Sequence, residues 1–337
     1  MKPLLYLLVA SSLTAEPLTL VDQARISAEK LPKGCIVTAE KNGNQAPIYS
    51  LAGQADTKEI PPEKIIFEIG SISKVFTGLL LAQAVQAGKV RLDSTLQEVM
   101  GKKQRFASEH VASITLEQLA THTSGLPRLP DNLLAAANPA DPYAHYDRRL
   151  LDAFLSKATL PHAAPFTSEY SNLGVGLLGD LLARLQDKTW EQLVLEHIAQ
   201  PLGMKDTRIT LDAEQKRRLV SPYAGAAKTK NWNFKALAGC GALYSTATDL
   251  MILAQALSKP AESPLKSLIE QIEKPRDLGN VGLCLQILKV GGTNGYWHNG
   301  GTGGYRSWVS ARPDSNRLVV VLINNDALAP EKIFTVK

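Results

Sequence analysis

A serine and a lysine stand three residues apart at the start of a long apolar run. Ser71 and Lys74 lie in residues 67–74 (FEIGSISK), and the residues that follow, to Ala87, are mostly apolar. Residues i and i+3 share a helix face, so the lysine amine can reach the serine hydroxyl. A lysine accepts a proton at neutral pH only where burial or nearby positive charge disfavours its ammonium form. The pair therefore indicates a serine nucleophile with an adjacent amine base.

The elements around this pair predict that the serine lies at a helix N-terminus. The apolar pattern from Ser71 to Ala87 is typical of a largely buried helix. Gly70 permits a tight turn from strand to helix, and the first backbone N–H groups of a helix have no partner within it. The alternative is a capping serine followed by a surface lysine, because S-x-x-K occurs by chance in many helices. The rest of the chain decides between the two interpretations.

Two further segments carry residues suited to the same chemistry. Tyr170 and Asn172 lie at the junction between a loop and a second apolar-periodic helix that runs to Leu185. Near the C-terminus, the glycine-rich residues 297–305 (WHNGGTGGY) lead into two strand-like segments. Taken singly, these motifs are more simply a buried tyrosine, a helix N-cap asparagine and a flexible hairpin.

Together the three segments resemble the S-x-x-K, Y-x-N and K-T-G elements of the penicillin-recognising serine hydrolases. The sequence is similar to class C β-lactamases and to the related D-alanyl-D-alanine carboxypeptidases and β-lactamase-like esterases. Residues 67–74 fit the class C active-site pattern throughout. The resemblance covers most of the chain beyond residue 30, and residues 114–127, 201–207 and 241–250 support it.

The resemblance implies an α/β fold of the α+β type, with a β-lactamase/transpeptidase-like antiparallel sheet flanked by helices and an inserted all-helical domain. We expect the sheet domain to comprise residues 16–70 and 225–337, and the helical domain to comprise residues 71–224. The local patterns agree with this order of elements. They predict a helix over 18–30, hairpin strands over 34–40 and 47–55, and strands over 281–289, 305–312 and 318–324. The two ends of the chain should therefore fold together, with the active site in the cleft between the domains.

The resemblance also implies a role for each motif residue. Ser71 would attack the substrate carbonyl, and Lys74 would take its proton directly or through Tyr170. Tyr170 would activate water for deacylation and protonate the leaving nitrogen, for which a phenol needs cations such as Lys74 and His298 nearby. Asn172 would bind the substrate amide carbonyl and help to hold Lys74.

The glycine-rich segment is expected to supply the other substrate contacts. These would come from His298, Asn299, Gly300 and Gly301, with His298 to Gly300 on an edge strand. The backbone N–H groups of Ser71 and Gly301 would form the oxyanion hole, where one donor is worth ~3 to 4 kcal/mol in other acyl hydrolases.

His298 departs from the class C pattern, in which this position is usually lysine. A histidine is only partly protonated near pH 7, so its attraction for a substrate carboxylate is weaker. Histidine at this place is also seen among carboxypeptidases and esterases of the superfamily. Of the other polar residues, His122 and Ser124 are expected to pack in a loop. Arg306 could bind a substrate carboxylate, but we expect it to be a surface arginine of a strand.

These observations lead to a periplasmic serine β-lactamase of class C type as the leading hypothesis. A D-alanyl-D-alanine carboxypeptidase or peptidase, and an esterase, share the machinery and remain open as alternatives. A non-catalytic penicillin-binding sensor that stays acylated is an alternative of another class. The intact set of Ser71, Lys74 and Tyr170 argues against the sensor.

Composition limits the partners and the compartment. The chain has 337 residues, of which 45% are hydrophobic, and a net charge of +5 that is too small and dispersed to argue for nucleic acid. Residues 1–15 resemble a short secretory signal peptide, too short to span a bilayer and without a closely following cysteine for a lipid anchor. We therefore expect a periplasmic or secreted monomer without a stable membrane anchor, acting on a small-molecule β-lactam or on a D-Ala-D-Ala peptide or ester.

The cysteines and histidines carry no metal or disulfide pattern. Cys35, Cys240 and Cys284 are odd in number and widely spaced, which favours buried thiols over a disulfide framework. The six histidines are scattered without the close spacing of metal ligands. A serine mechanism needs neither metal nor cofactor, and none is expected.

Overall fold

The computed structural model describes residues 18–57, 59–276 and 280–336. The predicted signal peptide, residues 1–15, lies outside this part of the chain. The α-helices are α1 (Leu20–Ala28), α2 (Ser73–Gln86), α3 (Leu96–Met100), α4 (Glu109–Ala112), α5 (Leu116–Ala120), α6 (Asp131–Leu134), α7 (Arg148–Leu155), α8 (Asn172–Leu185), α9 (Trp190–Val194), α10 (Gln200–Leu202), α11 (Ala213–Arg218), α12 (Ala247–Ser258) and α13 (Lys266–Ile272). The strands are β1 (Cys35–Lys41), β2 (Ile48–Gly53), β3 (Phe67–Glu68), β4 (Tyr223–Ala224), β5 (Ala227–Lys228), β6 (Tyr244–Ser245), β7 (Gln286–Val290), β8 (Thr293–Gly301), β9 (Arg306–Arg312) and β10 (Arg317–Ile323).

The main sheet has six strands in the order β2-β1-β10-β9-β8-β7, and every neighbouring pair is antiparallel. Strands from both ends of the chain meet where β1 pairs with β10, with Ile36 opposite Ile323. The mixed architecture with an antiparallel sheet confirms the predicted fold class. The two-domain division with its boundaries at residues 70 and 225 stays a prediction.

Alternation along β10 explains why both faces of the sheet are covered. Val319, Val321 and Ile323 point to one face, where they pack with α1 and with a C-terminal 3₁₀ helix, Pro330–Thr335. Leu318, Val320 and Leu322 point to the other face and join the large core, against which α12 packs. The site is built on the side of the large core.

Two predicted strand boundaries differ from the structure. The predicted strand 281–289 begins only at Gln286, because the chain from Val281 forms isolated bridges before it joins the sheet. Strand β8 begins at Thr293, whereas the sequence indicated only a short edge strand around His298. Its glycine and asparagine content hides the strand pattern, since both residue types are depleted in strands.

The central helix α2 is buried on almost all sides and packs against α8 and α13. The backbone of Leu283 lies close to α2 at Gly78, where an added Cβ would be 2.2 Å from the backbone O of Leu283. This contact explains why a glycine stands in the interior of a buried helix. The three cysteines are buried free thiols, as predicted.

We predict that Gly78→Ala lowers the free energy of unfolding, although alanine is the better helix former by about 1 kcal/mol. Overpacking against Leu283 should outweigh that gain and leave a net loss of about 1 to 2 kcal/mol. Gly174→Ala in α8 is the matched control, because its nearest neighbour would lie at 3.4 Å. Urea unfolding of both variants tests the prediction, and equal effects at the two positions would contradict it.

Candidate active site

The turn that carries Ser71 lies where β3 passes into α2. Gly70 has a φ of +48°, and an added Cβ there would lie 2.6 Å from the backbone N of Gly301. Both the conformation and the close approach require glycine. Ser71 lies in a 3₁₀ turn, Gly70–Ile72, so α2 begins two residues later than the sequence predicted.

Lys74 is completely buried, and its amine has three oxygen neighbours. Lys74 Nζ lies 3.0 Å from Ser71 Oγ, 2.8 Å from Asn172 Oδ1 and 2.7 Å from the backbone O of Cys240. Amide and carbonyl oxygens only accept hydrogen bonds, whereas a hydroxyl can also donate one. The Ser71 hydroxyl is therefore the only one of the three that could donate to Lys74. Within residues 18–57, 59–276 and 280–336, no carboxylate forms an ion pair with this lysine.

Asn172 is the first residue of α8, and its side chain belongs to the site. The N-cap is Ser171, whose Oγ accepts a hydrogen bond from the backbone N of Gly174 at 2.9 Å. The alternative interpretation of Asn172 as the N-cap is therefore wrong. Asn172 Nδ2 donates to the Tyr143 hydroxyl at 3.1 Å, which turns Oδ1 toward Lys74.

Tyr170 lies two residues before Asn172, and basic side chains surround its ring. Lys74 Nζ is 4.8 Å and Arg128 Cζ is 5.1 Å from the ring centroid. The rings of His122 and His298 lie with their centroids at 4.7 Å and 6.4 Å. The structure thus brings Tyr170 to Lys74 and His298, and adds two residues that the sequence did not assign to the site.

The last residues of β8 form the opposite wall. An added Cβ at Gly300 would lie 2.1 Å from the backbone O of Ile69, so the backbones of β8 and of the serine turn are in direct contact. Ser307 Oγ, on β9, donates to the same Ile69 carbonyl at 2.8 Å. These contacts bring Gly301 to the turn that carries Ser71.

The sequence predicted that His298 to Gly300 lie on an edge strand, but the strand that contains them, β8, is an interior strand of the sheet. Strand β8 lies between β7 and β9, and β7 is the edge strand on this side of the sheet. Strand β7, however, pairs with β8 only as far as Trp297, whereas β9 pairs through Gly301. Residues 298–301 therefore leave one side of their backbone open at the site, which is the property the edge-strand prediction required.

His298 is buried, and its imidazole is held in one tautomer. Nδ1 lies 2.6 Å from the backbone O of Asn299, and because a carbonyl only accepts, Nδ1 carries the hydrogen. Nε2 is then an acceptor, and it has no partner in the described part of the chain. Burial, followed by the charge of Lys74, lowers the pKa of His298 to about 3. The expected partial protonation near pH 7 is therefore wrong, and the histidine is neutral.

The side chains of Asn299 and Arg306 are both held by hydrogen bonds within the protein. Alternation along β8 turns the Asn299 side chain away from His298, and its Nδ2 donates to Glu331 Oε1 at 2.6 Å. The Asn299 side chain is thus held at Glu331, and the substrate contact expected of this residue stays a prediction. Arg306 is only half exposed, and Nη1 donates at 2.8 Å to the backbone O of both Thr302 and Tyr305. It is partly exposed on β9, and its hydrogen bonds fix the turn between β8 and β9.

An aromatic cluster lies next to Asn172. The ring centroid of Tyr143 is 4.5 Å from that of Phe234 and 5.6 Å from that of Trp232. Trp232 in turn lies against the turn after β8, since an added Cβ at Gly303 would be 2.6 Å from its Nε1. The cluster provides an apolar surface between the α8 side of the site and the β8 side.

Sequence reasoning missed His122 and Arg128 as neighbours of Tyr170, and Tyr143 as the partner of Asn172. His122 had a signal, because it lies in residues 114–127, which resemble the family. Arg128 and Tyr143 had none, since only tertiary packing brings them to the site. The described residues contain no group of three His, Cys, Asp or Glu side chains placed to hold a metal ion. No helix in the described ranges combines the length and the apolar character that crossing a membrane requires.

A family model described as Beta-lactamase matches residues 43–334. The chain belongs to the β-lactamase family. This match spans the serine turn, the Tyr170 segment and β8.

Curated relatives carry two kinds of name. The D-alanyl-D-alanine-carboxypeptidase/endopeptidase AmpH of Escherichia coli K12 is 35% identical over 211 residues, which are 62% of this chain and 54% of that protein. A β-lactamase of Providencia stuartii is 28% identical over 215 residues, which are 64% of this chain and 52% of that protein. The chain thus spans about half the length of these relatives.

Two solved structures share the fold over nearly the whole chain. A class C β-lactamase from Rhodobacter sphaeroides has a TM-score of 0.78 at 20% identity, covering 94% of this chain and 98% of that one. A β-lactamase/D-alanine carboxypeptidase from Pseudomonas syringae has a TM-score of 0.79 at 18% identity, covering 93% and 95%. They confirm the β-lactamase fold.

The neutral state of His298 predicts a pH dependence of stability. Its pKa of about 3 in the folded protein is below the ordinary value of 6.5, so the unfolded chain binds a proton that the folded chain does not. The contribution of His298 to the free energy of unfolding is therefore fully present above pH 6.5. It is lost as the pH drops toward 3, by up to about 1.4 kcal/mol per pH unit.

His298→Gln removes this contribution, and carboxyl groups contribute equally in both proteins. Urea unfolding between pH 7 and pH 4.5 should show a smaller loss of stability in the variant than in the wild type. Equal losses in the two proteins would mean that His298 is protonated in the folded state.

Proposed function

We propose that this protein is a serine acyl hydrolase of the class C β-lactamase type, which opens the β-lactam ring through an acyl-Ser71 intermediate. The observation that carries the proposal is the contact of 3.0 Å between Ser71 Oγ and the buried Lys74 Nζ. The other two neighbours of Lys74 only accept hydrogen bonds, so a neutral Lys74 amine has its lone pair available for the serine proton alone.

Acylation then has a consistent proton path. The neutral amine of Lys74 donates its two hydrogens to Asn172 Oδ1 and to the backbone O of Cys240, and it takes the Ser71 proton as Oγ bonds to the carbonyl carbon. The resulting ammonium donates to all three oxygens. No neighbour has to move between the two states, which keeps the reorganisation small.

The oxyanion hole in this proposal uses the backbone N–H groups of Ser71 and Gly301. Contact between Gly70 and Gly301 supports it, since it brings the two backbone segments to one point. Such donors stabilise the negative charge on the carbonyl oxygen as the tetrahedral intermediate forms. The open backbone side of residues 298–301 would receive the substrate as an added strand.

Tyr170 serves the two remaining proton transfers. It would give a proton to the lactam nitrogen as the C–N bond breaks, and later take one from the water that attacks the acyl carbon. That attack breaks the bond to Ser71 Oγ, which takes its proton back from the Lys74 ammonium, so the serine hydroxyl and the neutral amine are both regenerated. The Lys74 ammonium formed in acylation and Arg128, both against the ring, supply the positive charge that favours a phenolate, whereas the neutral His298 does not.

A D-alanyl-D-alanine carboxypeptidase or peptidase is the second candidate. Two observations favour it: the identity of 35% to a relative with that name, and the neutral histidine in place of lysine. An esterase would use the same residues and has no separate observation in its favour. All three substrates are small molecules or peptides. A periplasmic or secreted location, with a cleaved signal peptide, belongs to the same proposal.

Steady-state hydrolysis of a cephalosporin, a p-nitrophenyl ester and a D-Ala-D-Ala peptide separates these candidates. The proposal predicts that cephalosporin turnover is the fastest of the three. Faster peptide cleavage would move the protein to the second candidate. Labelling by a fluorescent penicillin in a 1:1 ratio without turnover would instead identify a sensor.

Ser71→Ala should lower hydrolysis by at least about 10³-fold and abolish the fluorescent label, because no other hydroxyl of the described residues forms a hydrogen bond with Lys74. Ser113→Ala, at an exposed position, is the matched control and should retain both. Label that survives in the Ser71 variant would show that another residue is acylated.

A further inference from the structure

His122 contacts the chain on both sides of Tyr170. Its backbone O accepts a hydrogen bond from the backbone N of Glu169 at 2.9 Å. Its Nδ1 accepts one from the backbone N of Ser171 at 3.2 Å. The tyrosine between these two anchors lies against the His122 ring, at 4.7 Å between centroids and 35° between planes.

The backbone conformation at position 122 would favour a residue other than histidine if folding were the only requirement. It follows the C-cap Thr121 of helix α5 with a φ of +61°, and the backbone N of Thr123 donates to Gln118 O at 3.0 Å. This is the arrangement of a Schellman helix end, in which glycine is the usual residue and asparagine the next. A histidine with φ above zero costs on the order of 1 kcal/mol there.

The protonation state of the His122 side chain matches the hydrogen bond that it makes. Burial, with smaller effects from Lys74, His298 and Arg128, lowers the pKa of His122 to about 3. Nδ1 is the acceptor of the neutral imidazole, because the backbone N–H of Ser171 only donates. Its Nε2 has no partner in the described part of the chain, so the side chain's hydrogen bond is the one to Ser171, beside its ring contact with Tyr170.

We propose that His122 is a positioning residue, which holds the Tyr170 phenol against Lys74 by binding the backbone on both sides of this tyrosine and by supporting its ring. This inference rests on the proposed function. The neighbouring segment strengthens the same attachment: Pro127 O accepts from Ser171 Oγ at 2.7 Å, and Arg128 O accepts from the backbone N of Asn172 at 3.0 Å. Residues 122–128 thus fix the segment that carries Tyr170 and Asn172.

The test is a double-mutant cycle between His122 and Tyr170. His122→Gly removes the side chain and suits the backbone conformation, and His122→Asn keeps an acceptor near Nδ1 while it loses the ring. Each change is made in the wild type and in Tyr170→Phe. The readouts are kcat and KM for the substrate that the wild type turns over fastest, and the midpoint of thermal unfolding.

We expect His122→Gly to lower kcat about 10²-fold with a much smaller change in KM, because a displaced proton donor fails in the reaction and not in binding. His122→Asn should recover part of that loss. In Tyr170→Phe, where the phenol is already absent, the same substitutions should change kcat by less than about threefold. If the glycine variant fails to fold, the asparagine variant provides the same comparison.

Asn316→Gly is the matched control. Asn316 is also buried with a positive φ, of +48°, and its side chain makes hydrogen bonds to Gly43 and Ser258 in the turn between β9 and β10. It should lower the thermal midpoint without a change in kcat.

Two results would overturn the inference. One is a kcat in both His122 variants within threefold of the wild type. The other is a loss of the same size in the wild type and in Tyr170→Phe, which would mean that His122 acts independently of the tyrosine. Failure of the proposed function is a separate result, since Ser71→Ala would then retain hydrolysis whatever happens at His122.

Discussion

The buried amine of Lys74 is the interaction on which the rest of the site depends. A lysine without a carboxylate partner is costly to bury, and here three oxygens from three parts of the chain offset that cost. Ser71 comes from the turn before α2, Asn172 from the start of α8, and the Cys240 carbonyl from the 3₁₀ turn Ala238–Cys240. Each of these elements must be in place for the amine to be satisfied. The core that packs α2 against α8 is therefore also what assembles the chemistry.

The second constraint is the contact between two backbones without side chains between them. Gly70 and Gly300 let the serine turn and the end of β8 touch, and Ser307 fixes the shared Ile69 carbonyl. Strand β8 must lie inside the sheet to be held this firmly, and it must extend beyond β7 to offer a free backbone edge. Strand β8 is both interior and open at its end, because β7 pairs with it only as far as Trp297. The nucleophile and the surface that would receive the substrate are thus set at a fixed distance by the sheet itself.

Local spacing made the pair of Ser71 and Lys74 predictable, because residues i and i+3 on a helix meet whatever the rest of the chain does. Tyr170 and His298 were predictable only through the family resemblance, since no local rule brings residues so far apart together. The charge of His298 was not predictable, because it depends on complete burial next to Lys74. The direction of Asn299 depended on where β8 joins the sheet, and its glycines hid that register. His122 was interpreted as a packing residue because its contacts to residues 169–171 are tertiary.

The rate at which a fluorescent penicillin acylates Ser71 in a single turnover, compared between the wild type and Lys74→Met, tests the central claim most directly. Methionine has a similar length but can neither accept nor donate the serine proton. If Lys74 is the base, the acylation rate should fall by about 10²- to 10⁴-fold in a variant that thermal unfolding shows to be folded. An acylation rate within a factor of about three of the wild type would contradict the account, and the buried amine would then serve the fold alone.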